Sequence, residues 1–224
     1  MNVRELIAFL KRAKRAEEID EQREEIARLI PAVITMFEYD QQNYAHQYDL
    51  WMHCLHTVMW LPRLCEQGEK CVDEDDVFRN PDEMIYLAAL LHDIGKPDCR
   101  VAGIKEDDTN MHYYGHPRRS MEIVRDNVLP LLDDQGERLS PDEKRRLLYY
   151  VEYHDDRMSL RMKHLRRHLN IGASLKEFQN LMLLQVADAK AHVLLPLVKE
   201  RIAICQAWTG EYAEKMYQEI LSGK

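Results

Sequence analysis

The chain has 224 residues, 46% of them hydrophobic and 31% charged, a balance that excludes a disordered tail and allows one sizeable core without disulfides. Lys and Arg number 31 against 39 Asp and Glu, for a net charge of −8, which excludes binding nucleic acid or an anionic membrane through bulk electrostatics. Gly 8 and Pro 8 together fall well under the usual ~12%, against a turn-rich β-fold and for long helices, whereas histidine, at 10, is abundant.

The start of the chain offers only a short apolar stretch, Leu6 to Phe9, between charges, so no signal peptide is expected. Apolar residues recur at helical spacing over 4–17 (Leu6, Phe9, Leu10, Ala13) and over 21–38 (Ile26, Leu29, Ile30, Val33, Ile34, Phe37). This predicts an amphipathic helical pair, an N-terminal extension over 1–40 that packs on the body or on a second copy as a homodimer. A helix over 48–65 follows, with Asp49 near its start, where a carboxylate suits the helix dipole. Residues 66–80 are acidic and aperiodic and read as a loop. Asn80-Pro81-Asp82 then opens a helix that runs through apolar residues and stops at Gly95-Lys96-Pro97. An Asp107-Asp108-Thr109-Asn110 turn precedes a short strand at 111–114.

Helices are expected over 117–132, from Pro141 to about His154, over 159–169, over 174–191, and from 197 to 221 after Pro196. Ser140 with Glu143 and Ser174 with Glu177 carry capping-box chemistry. The fold class is all-α, with a central domain over 41–195 and a C-terminal helix over 196–224 packed on it. The five cysteines (Cys54, Cys65, Cys71, Cys99, Cys205) form no C-x-x-C pair and read as reduced, mostly buried thiols of a cytoplasmic protein. No apolar run approaches the ~20 residues that span a bilayer, so no membrane partner is expected.

The chemistry concentrates where an apolar helix ends in adjacent His92 and Asp93. Burial makes an unpaired carboxylate costly, and a divalent metal satisfies both residues together. Lys96, one turn on, suits an anionic substrate or complements the helix C-terminus. His53 and His56 share a helix face, and Asp188 sits in an otherwise apolar helix, where a charge needs a partner or a metal. His116 and His154 lie where polar loops meet helix ends. Residues this far apart in sequence converge only through the fold, as ligands in helical bundles do.

Taken in order over about residues 46–192, Trp51-Met52-His53-Cys54-Leu55, Leu90-Leu91-His92-Asp93-Ile94-Gly95-Lys96-Pro97, Tyr114-Gly115-His116, Tyr153-His154-Asp155 and Ala187-Asp188 resemble the HD superfamily of metal-dependent phosphohydrolases. The likeness is greatest to the HD domain that follows the catalytic head of bacterial tRNA nucleotidyltransferases. Residues 1–40 hold no paired-carboxylate motif of such a head, and Pro117 stands where a Glu often follows the Gly-His of that family. Lys96 replaces the acid that some HD nucleotidases carry.

The resemblance implies an HD-domain helical bundle with His53, His92, Asp93 and Asp188 as ligands of a first metal. His116 and His154 would then hold a second, with Asp93 bridging, or bind substrate phosphate directly beside a single ion. Mixed imidazole and carboxylate ligands suit one or two divalent transition metals (Mn, Fe, Co, Ni or Zn) over Mg or Ca. The implied activity is hydrolysis of a nucleotide-type phosphomonoester or phosphodiester by metal-activated water, with Asp93 and Lys96 catalytic and Lys96 and Arg157 holding substrate.

Arg157, Arg161, Lys163, Arg166 and Arg167 form a basic stretch, read first as a solvated helix face. Its alternative reading is a rim that steers a phosphorylated small molecule, a nucleotide or an RNA end. His56 and His192 are assigned to the core or to the surroundings of the site, with His192 a weak alternative ligand; His46, His164 and His168 are assigned to the surface. Two rival functions share this pattern: a di-iron oxygenase using a similar His/Asp set, and a non-catalytic nucleotide-binding module.

Overall fold

Asn2 opens the first helix with a capping box. Its side chain accepts from the Glu5 amide at 2.8 Å, while the Glu5 carboxylate accepts from the Asn2 amide at 2.9 Å. The computed structural model describes residues 1–67, 77–103, 108–136 and 138–223; Cys71, Asp107 and most of the expected 66–80 loop lie outside the described residues. Helices α1 (Val3–Arg12), α2 (Ala16–Asp20) and α3 (Arg23–Leu29) form the N-terminal extension. The helix expected over 21–38 breaks at Pro31 and continues as a 3-10 turn, Pro31–Met36. Proline cannot donate to the ladder and drives the preceding Ile30 out of the helical region, to φ −130°.

The chain continues as α4 (Leu50–Gln67), α5 (Met84–Leu91), a two-stranded antiparallel ladder of β1 (Val101–Ala102) with β2 (Met111–His112), then α6 (His116–Ile123). It ends with α7 (Leu129–Asp134), α8 (Pro141–Tyr153), α9 (Met162–Asn170), α10 (Leu175–Ala191), α11 (Pro196–Ala207) and α12 (Glu211–Leu221). With 66% of residues helical, the chain is all-α. The single helix expected over 117–132 is divided by a π-helical turn, Val124–Val128, just ahead of Pro130, whose missing N–H interrupts the ladder. The expected C-terminal helix divides at Trp208, which is buried and donates its indole N–H to the Ser159 carbonyl at 3.1 Å. Both expected capping boxes are present, at Ser140 with Glu143 and at Ser174 with Glu177.

Helix α5 has no polar face and all eight of its residues are buried, as an all-apolar helix requires. It packs between α4 and α8, while α10 lies along α4 and α11. One continuous apolar core takes in Val3, Leu6 and Leu10 of α1 together with these helices, so the apolar face of the extension is covered within the chain. Gly95, after α5, is needed for close approach more than for a sharp exit. A Cβ there would stand 2.5 Å from the Ser120 nitrogen of α6, and its own N–H donates to Ser120 Oγ at 2.9 Å. Gly115 takes the left-handed φ of 78° that turns the chain from β2 into α6. Among the described residues, no helix is long and apolar enough to cross a membrane.

Candidate metal centre

Five helices or helix ends bring six side chains to one buried place. His53 comes from α4, His92 and Asp93 from the end of α5, His116 from the first residue of α6, His154 from the end of α8 and Asp188 from α10. Asp93 stands at the middle with its oxygens divided. Its Oδ2 lies 3.4 Å from His53 Nε2 and 3.3 Å from His92 Nε2. Its Oδ1 lies 3.0 Å from His116 Nε2 and 3.4 Å from His154 Nε2. Asp188 Oδ1 completes the first set, 3.0 Å from His53 Nε2 and 3.6 Å from His92 Nε2.

The backbone fixes how three of the histidines point. Nδ1 of His92 lies 2.8 Å from the Ala89 carbonyl, that of His116 2.7 Å from Tyr113 and that of His154 2.8 Å from Val151. An Nδ1–H spent on a carbonyl leaves the Nε2 lone pair facing the cluster. His53 differs, because its Nδ1 has no hydrogen-bond partner.

This donor set fits a divalent ion. His92 Nε2 and Asp93 Oδ1 are buried and lack hydrogen-bond partners, a cost that folded proteins rarely leave standing. His116 Nε2 and His154 Nε2 approach to 3.2 Å, where two lone pairs repel unless a proton or a cation lies between them. The ligand atoms of His53, His92 and Asp188, and likewise those of Asp93, His116 and His154, lie within 4.8 Å of one another.

The electrostatics agree. Burial alone would push both carboxyls up, but Lys96 and His92 hold Asp93 well below the carboxylate range, and His192 and His53 do the same for Asp188. Burial brings His53 down to about 3 and also lowers His154. Against its own burial, His92 is drawn well above the imidazole range by Asp93. Burial raises the nearby Cys54 thiol, whose sulfur also lies within reach of His92 and Asp93.

A cavity of about 310 Å³ opens over this cluster, lined by Asp93, Lys96, His116, His154 and Asp188. A larger one of about 470 Å³, between the Pro31–Met36 turn and α6–α7, contains none of the buried histidines. Lys96 is buried, with Nζ 2.7 Å from Asp93 Oδ2 and 2.8 Å from Gln41 Oε1. Its ammonium is therefore engaged inside the cluster and is not extended toward solvent. Arg157 is exposed at the mouth, and it alone of the basic stretch lines this cavity.

Sequence reasoning passed over Arg201 and misplaced His46, whereas His192 lies beside the site as expected. Arg201 of α11 reaches Asp155 Oδ1 at 3.0 Å, the His154 carbonyl at 2.9 Å and Asp188 Oδ2 at 3.7 Å. His46, expected at the surface, packs its ring 4.4 Å from that of His192 and 5.3 Å from that of His53. His192 itself lies with Nδ1 2.9 Å from the Asp188 carbonyl. His168, also expected at the surface, is buried against the Tyr149 hydroxyl. His164 is half-buried beside Ser159, and His56 stacks on Tyr48 away from the cluster. Arg201 follows directly on Lys199 and Glu200, so no lone charge in an apolar helix marked it as Asp188 was marked.

Compared with known proteins, residues 50–191 match the family model of the HD domain. No curated protein and no solved structure matches the chain.

Proposed function

Since the chain belongs to the HD-domain family, whose members bind divalent metals and are typically metal-dependent phosphohydrolases, we propose that it hydrolyses a nucleotide-type phosphomonoester or phosphodiester at a centre of one or two divalent ions. The observation that carries this reading is the divided Asp93 carboxylate, one oxygen toward His53 and His92 and the other toward His116 and His154. His53, His92 and Asp188 with Asp93 Oδ2 would hold one ion; His116 and His154 with Asp93 Oδ1 would hold the other. A divalent ion bound there lowers the pKa of a coordinated water from 15.7 towards ~7 and polarises phosphoryl oxygens.

The remaining work falls to the chain's own side chains. Asp93 and Asp188 supply buried negative charge that only a cation offsets fully. Lys96, on Asp93 Oδ2, keeps that carboxylate ionised and lies in the cavity wall where a phosphoryl oxygen would enter. Arg157 draws an anion to the mouth, and Arg201 stands 3.7 Å from Asp188 Oδ2 in the wall of the same cavity. A cavity near 310 Å³ is at the small end of the ~300–1,000 Å³ range of ligand pockets, which favours a small phosphate ester over an RNA end.

The test is a metal-replete screen of 2′,3′-cyclic nucleotides, mononucleotides and dinucleoside polyphosphates. Phosphate release or ring opening that disappears in Asp93→Ala supports the reading. An oxygen-dependent product without phosphoester cleavage would replace it with the oxygenase. Nucleotide binding without turnover under any metal would replace it with a binding module.

A further inference from the structure

We propose that Tyr114, backed by His112, is a stacking platform for an aromatic base at the rim of the metal centre. The substrate would then carry a planar ring as well as a phosphate. This rests on the hydrolase reading above and extends it to specificity.

The turn between β2 and α6 treats two adjacent tyrosines in opposite ways. Tyr113 is buried and donates its hydroxyl hydrogen to the Gln41 carbonyl. Tyr114 is 69% exposed yet not loose. Its ring lies over the His112 imidazole with centroids 5.4 Å apart and planes 1° from parallel. His112 is fixed in turn, with Nε2 2.7 Å from Asp108 Oδ2. The tyrosine is thereby flanked by a fixed, parallel ring and leaves its broad face open to solvent. An aromatic ring oriented in advance binds a second ring at little ordering cost, and every nucleobase has a π-face to offer.

Position makes the ring useful. Tyr114, His112 and Arg157 line the same cavity as Asp93. Tyr114 also stands two residues before His116, whose Nε2 lies 3.0 Å from Asp93 Oδ1. Two residues of chain keep their Cα atoms within ~7 Å, and both side chains line the one cavity, as a ligand that joins a phosphate to a base through a pentose requires. The cavity has room for one such ligand. Surface tyrosines elsewhere lack this combination of a fixed backing ring and a shared wall with buried donors; Tyr44, also exposed, is not among the residues lining the cavity.

The experiment compares kcat/KM for a nucleoside 5′-monophosphate with that for glycerol phosphate, using metal-loaded wild type, Tyr114→Ala and Tyr114→Phe. Loss of one base stack corresponds to about a 5- to 160-fold loss. The nucleotide-to-glycerol ratio should fall by that factor in Tyr114→Ala and keep its wild-type value in Tyr114→Phe. A ratio unmoved by Tyr114→Ala overturns the platform even while hydrolysis persists. If no phosphoester is turned over, the hydrolase reading fails, and calorimetric titration of the same two ligands then judges the platform separately. Nucleotide affinity that falls selectively in Tyr114→Ala supports it; equal affinities in both proteins overturn it. Because Tyr114 is exposed, its truncation leaves the core intact.

Discussion

Around α1–α3, charges meet opposite partners at the surface while apolar side chains do the holding. The amino terminus pairs with Glu25 at 2.6 Å, Arg4 with Glu143 at 2.5 Å and Lys11 with Glu83 at 2.8 Å, above a fully buried Val3, Leu6 and Leu10. At the histidine–aspartate centre the arrangement is reversed. Two ionised carboxylates sit inside the protein with Lys96 on one and Arg201 near the other, and His92 Nε2 faces them without a hydrogen bond. Exposed pairs contribute ~0–1 kcal/mol each, so the N-terminal region gains little from charge and is held by its packing on the common core. Buried charges cost several kcal/mol unless matched, so the centre is built to be completed by a cation.

The largest expected effect tests that completion directly. Asp93→Ala removes the residue common to both donor sets and should lower turnover by at least ~10³-fold, since a metal contributes several kcal/mol to the transition state. Metal analysis of the same variant should show less bound ion; unchanged turnover would take Asp93 out of the chemistry. Next, Leu10→Ala in the N-terminal core should cost ~2–5 kcal/mol in denaturant unfolding with metal stoichiometry unchanged. Loss of metal in that variant would show that the two regions are not independent.

Metal loading comes third. At a free ion concentration 100 times Kd it should stabilise wild type by ~2.7 kcal/mol, or roughly 5–10 °C in Tm for a chain of this size. Chelation should reverse the gain, and Asp93→Ala should lack it. A chelated protein as stable as the loaded one would break the contrast.

The smallest effect belongs to the surface. Arg4 holds the Glu143 carboxyl at about 2, below its ordinary 4.5, so the pair is fully stabilising above pH 4.5 and fades as pH falls through about 2. Glu143→Gln keeps one oxygen for the capping box and removes the charge together with one of the two acceptors of Arg4. Its Tm deficit against wild type should therefore be under ~1 kcal/mol in equivalent terms near neutrality and vanish toward pH 2. A deficit that persists in acid would mean that Glu143 acts through something other than its charge.

What could be read from the sequence was what depends on near neighbours or on chemistry too costly to be incidental. The capping boxes at Ser140 and Ser174 are complete within four residues. His92-Asp93 and Asp188 stand out because each interrupts an apolar helix, and the structure brings both to the expected cluster. Periodicity failed where an apolar rhythm runs across a backbone break. Beyond Pro31 the 3-10 turn still buries Val33 and Met36, but it leaves Ile34 56% exposed, although helical spacing had placed that residue on the buried face. His46 and Arg201 were missed because their partners are distant: His46 meets His53 and His192, and Arg201 meets Asp155 and Asp188. The family likeness runs through Ala187-Asp188 and stops short of α11, which supplies Arg201.

Gly95 has a consequence for the spacing within the centre. The end of α5 carries His92 and Asp93 and α6 begins with His116, and these two pieces of backbone touch at this residue, where a Cβ would stand 2.5 Å from Ser120 N and 2.9 Å from Arg119 C. The gauge of the centre, the separation of Asp93 from His116, is therefore set by the width of a hydrogen atom on a residue that binds nothing. An added methyl group at 95 would act as a shim, lifting α6 and withdrawing His116 from Asp93 Oδ1 while leaving every donor chemically intact.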